Sequence, residues 1–367
     1  MGKDQDSSFK CVKGVLLVSK VMAYVGSYCY NGRNKGITVF DVDPENGKFT
    51  FREEVEEYNC SYIICGRKRQ VLYAVSEYGV TSYRILSDGS LEKLNSKRIN
   101  GMRGCHLSIS LDDKYICVSG YHDGKCTILS TKSDGSIDKI KYQFYDMGYG
   151  SVAERTYRPH ISCARLTWDN KYLFSVDSGI DQIRIFRFDT RFEDLEQVAA
   201  LRCELGSSPR FFRFSGDGKF LYLIYEIKDA IEVYSYTDDG RAPILEKIQT
   251  VSTTAKMGDI SMTAACAMRV THDGRHILVS NAGENTVTIF NRDPDTGLLS
   301  FADSLPISGD YPKDISLFPD DRHLAVANHA SNELSFFTVD YDRDLLIMNG
   351  RNIPVSQPNS VRFVTIK

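Results

Sequence analysis

The chain has 367 residues, with 45 lysines and arginines against 48 aspartates and glutamates, a formal charge of -3. The two signs alternate instead of collecting in blocks, which excludes the basic footprint of a nucleic-acid binder. At 42% apolar and 25% charged residues, no long segment is too polar to bury, so the whole length 1–367 is expected to fold.

The chain opens on the polar MGKDQDSS, and the apolar stretch from Val12 to Val25 is broken by Lys13 and Lys20. That is too interrupted for a signal-peptide core or a membrane span. The ten cysteines lack CxxC pairs and tight spacings, which fits neither a zinc site nor a disulfide scaffold. Reduced thiols, a soluble cytoplasmic protein and no contact with membranes or nucleic acid are the expectation.

Along the chain one pattern recurs. A strand leads into a tight turn of the type Asp-Gly-Lys or Asp-Asn-Lys, and an apolar, β-rich strand with a polar end follows. The copies are VMAYVGSY from Val21, QVLYAVSE from Gln70, KYICVSGY from Lys114, KYLFSVDS from Lys171, KFLYLIYE from Lys219, RHILVSNA from Arg275 and RHLAVANH from Arg322. Their starts are 49, 44, 57, 48, 56 and 47 residues apart. Further alternating strands fill each period, as in DQIRIFRFD, NTVTIFNRD and ELSFFTVD. Four strands in a period of this length mark a propeller blade, which cannot bury both faces until neighbours stack on it. The reading is one all-β domain, a seven-bladed β-propeller. The first repeat lacks a strand before Val21 and the chain ends on the unpaired PNSVRFVTIK, so the C-terminal strand is expected to pair into the N-terminal blade and close the ring.

Hairpin geometry then places a site. The start of each first strand and the end of the second lie together, at one mouth of the central channel. Second strands end there at Tyr28, Glu77, Tyr121, Ser178, Glu226, Ala282 and His329, with Asp177, Asn281 and Asn328 one residue earlier. First strands contribute Ser61, Cys105, Ser162, Arg210, Cys266 and Lys313, with His106 and His160 close by. Cations, carboxylates and imidazoles around one opening suit a small, anionic, oxygen-rich ligand. A carboxylate or imidazole activates water there and a guanidinium stabilises an oxyanion. Read structurally instead, the same polar residues cap strand ends, and His106, Glu77 and Asp177 serve as hydrogen-bond partners.

SVDSGIDQIRIFRFD, GCHLSISLDDKYICVSGY, SSPRFFRFSGDGKFLYLIYE and YPKDISLFPDDRHLAVANH together resemble the bacterial 6-phosphogluconolactonase type of propeller lactonase over nearly the whole chain. Fungal 3-carboxymuconate lactonising enzymes are similar in architecture. The resemblance implies a channel-mouth site with Arg210 in its Pro-Arg pair, Glu226 at the end of the next strand, and His160 at the start of the preceding blade. The family's second histidine is Ser162 here, an expected arginine is Ala282, a polar Asn and Glu are Thr263 and Ala267, and the last Pro-Arg is Pro312 and Lys313.

On this reading Glu226, Arg210 and His160 are catalytic. Lys313, His106, Asn281, Asn328, Tyr121 and Glu77 bind substrate, and neither cofactor nor metal is expected. The expected partner is a small anionic sugar-acid lactone, hydrolysed by a monomer or weak homodimer, with 6-phosphogluconolactone favoured. Muconolactone cycloisomerisation and a non-catalytic binding platform are the alternatives. A calcium site on Glu77, Asp177, Glu226, Asn281 and Asn328 is a further one, disfavoured because metal lactonases resemble six-bladed propellers.

Overall fold

The computed structural model describes residues 20–150, 157–192, 194–255 and 263–366. Its 29 strands form seven antiparallel sheets. Numbered along the chain, the second strands of blades 1 to 7 are Val21–Ser27, Val71–Ser76, Tyr115–Gly120, Tyr172–Asp177, Phe220–Tyr225, His276–Ala282 and His323–Asn328. Each begins within one residue of the position expected from the repeat.

The turn chemistry explains this agreement. Asp112, Asp169, Asp217, Asp273 and Asp320 each accept a hydrogen bond from the backbone N–H two residues on. The residue between takes a positive φ, at Asp113, Asn170, Gly218, Gly274 and Asp321. Only glycine, Asn and Asp adopt that conformation cheaply, so the recurring turn letters are a backbone requirement.

The innermost strands are Ile63–Cys65, His106–Ile109, Ile161–Leu166, Pro209–Phe214, Ala264–Val270 and Pro312–Leu317 in blades 2 to 7, and Pro358–Thr365 in blade 1. Each packs against the next in order, and the last against the first, around one axis. Pro358–Thr365 pairs with Val21–Ser27 from Val21↔Thr365 to Ser27↔Pro358, so the C-terminal strand closes the ring as expected.

Apolar residues alternate onto the faces between blades. Tyr172, Phe220 and Tyr222 are buried there. Tyr24, Tyr73 and Tyr222 bury their rings on corresponding strands and donate their hydroxyls to the carbonyls of Gly89, Gly135 and Gly297 in the adjoining blade's outer turn. Burial of such a ring stabilises by about 1.5–3 kcal/mol, and the satisfied hydroxyl removes the cost of burying its polar end.

Candidate functional site

The sheets control what faces the channel through a repeated irregularity. In five blades one residue of the innermost strand has no opposite number: Ser162 lies between the pairs Ile161↔Asp177 and Cys163↔Val176, and Arg210, Cys266, Lys313 and Asn359 occupy the same place. A β-bulge of this kind re-aims the extra side chain. These five residues, with Ser61 and Cys105 from blades 2 and 3, line one cavity of about 340 Å³, one residue per blade. The next residue along also faces inward, so Tyr62, His106, Phe211, Ala267 and Asp314 form a second layer of the wall. Tyr28, Tyr121 and Glu226 arrive from the ends of second strands.

Arg210 is anchored from two blades. Its Nε donates to the Cys266 carbonyl at 3.1 Å and its Nη1 to Glu226 Oε2 at 2.5 Å. Lys313 donates to Asn359 Oδ1 at 2.8 Å, and its ammonium stands 4.8 Å from the centre of the Tyr28 ring. Burial, then the charge of Arg210, brings the Lys313 pKa down to about 8. His106 is buried, and that burial together with the surrounding arginines, Arg165 first, holds its pKa well below the usual histidine value. It is therefore neutral. The two cavity thiols are not nucleophiles: burial pushes Cys105 up to about 12 and raises Cys266 as well.

Of the nine residues given a catalytic or substrate-binding role from sequence, Arg210, Glu226, Lys313, His106 and Tyr121 share this cavity, and His160, Asn281, Asn328 and Glu77 do not. His160 lies behind Tyr121, stacked on its ring at 4.3 Å between centroids, with Nδ1 held 2.6 Å from the Tyr121 carbonyl oxygen. Regular alternation would set His160 and Ser162, two residues apart, on one side of the strand, and the bulge between Ile161 and Cys163 breaks that alternation. Asn281 is fully buried between strands, donating to Thr253 O and Thr288 Oγ1. Asn328 does the same with Ser308 O and Ser335 Oγ. Both stand one residue before the expected mouth positions, Ala282 and His329, and their amides are tied up in the blade packing instead of lining the cavity. Glu77 accepts from Asn59 and pairs with Arg103 at 3.3 Å outside the cavity wall. Asp177 is a backbone acceptor for the N–H groups of His160, Gly179 and Ile180. Among the described residues no group of three or more His, Cys, Asp or Glu is arranged to hold a metal ion.

The model of the family described as lactonase, 7-bladed beta-propeller matches residues 22–363. The chain belongs to that family. This propeller lactonase family member is 26% identical over 309 residues to the 6-phosphogluconolactonase of Bacillus subtilis strain 168, spanning 82% of this chain and 86% of that protein. The 6-phosphogluconolactonase of Formosa agariphila is also 26% identical over 309 residues, 81% of this chain and 86% of that one. Among solved structures, the periplasmic gluconolactonase of Pseudomonas aeruginosa superposes with a TM-score of 0.87 at 26% identity, covering 95% of this chain and 100% of that one.

Sequence reasoning missed a further set of arginines on the innermost strands, of which Arg269 lines the cavity. Three positions beyond the mouth residue, past the bulge, the innermost strands carry Arg165, Arg213, Arg269 and Arg362 in blades 4, 5, 6 and 1. Asp314 binds two of them, Arg269 at 2.7 Å and Arg362 at 2.6 Å. The signal was an arginine at one offset in four repeats, legible only once the bulge set the register.

Proposed function

We propose that this protein hydrolyses a sugar-acid lactone, with 6-phosphogluconolactone the favoured substrate. The observation that carries the reading is the ion pair of Arg210 with Glu226 beside Lys313 in one cavity, in a chain of the lactonase family. The cavity volume lies at the small end of the range for small-molecule sites.

Hydrolysis needs water delivered to the lactone carbonyl, a proton acceptor for that water, and positive charge where the carbonyl oxygen becomes an oxyanion. Glu226 is the acceptor, oriented by Arg210. Arg210 and Lys313 supply the positive charge, already in place before the reaction, which is how such groups lower the barrier. The proton then passes to the ring oxygen as the C–O bond breaks, and the products are the open hydroxy acid and a regenerated site. His160 is a positioning residue that fixes Tyr121 from behind.

The test is the rate of lactone opening above a buffer blank, since such lactones open spontaneously. Wild type should accelerate opening of 6-phosphogluconolactone and Glu226→Gln should not; wild type matching the blank on all sugar-acid lactones overturns the reading. A muconolactone included in the panel reads out cycloisomerisation separately.

A further inference from the structure

Below the mouth, the channel holds more positive charge than the described residues neutralise. Asp314 serves Arg269 and Arg362 together. Arg165 and Arg213 face no carboxylate among the described residues, and both guanidinium groups sit against the Phe211 ring, at 5.0 and 4.9 Å from its centre. The Arg213 side chain makes no hydrogen bond or ion pair among the described residues, yet part of the residue's surface remains accessible. Arg165 approaches His106 Nε2 at a long 3.5 Å, and its buried Nε has no hydrogen-bond partner among the described residues.

His106 adds a donor. With its Nε2 facing the Arg165 guanidinium, which only donates, the neutral ring carries its proton on Nδ1. That Nδ1 is buried and without a partner among the described residues, in a residue 4% exposed that lines the cavity. Burial, and after it the charge of Arg165, pulls Arg213 well below its ordinary pKa, so the protein itself leaves this cation uncompensated. An uncompensated buried charge costs several kcal/mol. Donors of one sign without a partner among the described residues, gathered around Phe211 and His106 of the cavity wall, are what an oxyanion satisfies.

We propose that the channel beneath the catalytic mouth binds a phosphate-type oxyanion, with Arg165 and Arg213 as its principal ligands and His106 as a third donor. Arg210 and Arg213 are three residues apart on one strand, so the two levels lie roughly 10 Å apart. The oxyanion comes either from a phosphate ester on the substrate, which rests on the lactonase reading, or from free inorganic phosphate, which does not.

Inorganic phosphate is the probe. Thermal melts and calorimetry of the full chain, titrated with phosphate against chloride at constant ionic strength, should show stabilisation specific to phosphate. Arg213→Met and Arg165→Met should each weaken phosphate binding by at least about tenfold. Equal effects of phosphate and chloride, or variants that respond like wild type, overturn the proposal. Should either variant fail to fold, crystals of wild type soaked in selenate decide it: an anomalous peak between Arg165 and Arg213 supports the site, and its absence overturns it.

The source is read by kinetics. If the substrate's phosphate occupies the site, phosphate competes with 6-phosphogluconolactone, and the preference for it over unphosphorylated gluconolactone collapses in Arg213→Met. If the ion is free, phosphate stabilises without competing. Because the melts need no turnover, loss of phosphate binding and absence of lactonase activity are distinguishable failures.

Discussion

Arg210 and Glu226 meet at 2.5 Å across 16 residues of chain, because one is the bulged residue of an innermost strand and the other directly follows the strand paired to it. The Glu226 side chain is 10% exposed and that of Arg210 23%, so neither charge is well solvated without the other. Removing one partner leaves a nearly buried charge alone. Glu226→Gln and Arg210→Met should each destabilise by about 2–4 kcal/mol, and the double variant by less than their sum. Denaturant melts of the four proteins check this; additive losses contradict the pairing.

Lys313 sets an alkaline limit. Its ammonium, with a pKa brought down to about 8, is protonated below that value and lost above it. Blank-corrected kcat/KM should therefore fall as pH rises through about 8. In Lys313→Arg the fall should disappear from that range, since a guanidinium stays charged. The stability sign is the reverse. A folded-state pKa below the unfolded value makes protonation costly, so Lys313 should destabilise most below pH 8 and progressively less between about 8 and 10.4. Lys313→Met should raise Tm at pH 7 more than at pH 10.

On the proposed mechanism His160 serves Tyr121 and not the reacting atoms. His160→Ala should cost about 1–3 kcal/mol of stability through the lost stack and hydrogen bond. At temperatures where the variant is folded, kcat should stay within about tenfold of wild type and keep the wild-type pH profile, unlike a lost catalytic base. Paired melts and pH-rate curves separate the two roles.

The cavity thiols should be inert. With burial pushing Cys105 up to about 12 and raising Cys266, iodoacetamide at pH 7.5 should leave both unmodified in the native protein and activity intact. Peptide mass spectrometry before and after unfolding provides the comparison. Rapid native alkylation of Cys105 with loss of activity contradicts the account of the wall.

The blades were legible in the sequence because their turns are chemically demanding. Asp113, Asn170 and Gly218 occupy left-handed positions, and the preceding Asp side chains tie down the backbone, so turn letters and strand starts coincide. Counting from those turns also located Ser61, Cys105, Ser162, Arg210, Cys266 and Lys313, which all line the cavity. The bulge was not legible, since nothing in residues such as Ile161, Ser162 and Cys163 marks which of them lacks a partner. That single register shift turned His160 out of the site and brought the layer of Phe211 and Asp314, and below it the arginines, into the channel. Asn281 and Asn328 were misplaced for a simpler reason, because the residue before the mouth position turns into the blade packing, where their amides bond Thr253 O and Thr288 Oγ1 in one case and Ser308 O and Ser335 Oγ in the other.

The most direct test of the central claim follows opening of 6-phosphogluconolactone by phosphorus NMR, with wild type, Glu226→Gln and Arg210→Met at equal concentration against a buffer blank. Wild type should open the lactone well above the blank, and each variant should lose about 10²–10³-fold in kcat. Wild type indistinguishable from the blank, or variants as fast as wild type, would show that the chemistry does not occur at this mouth.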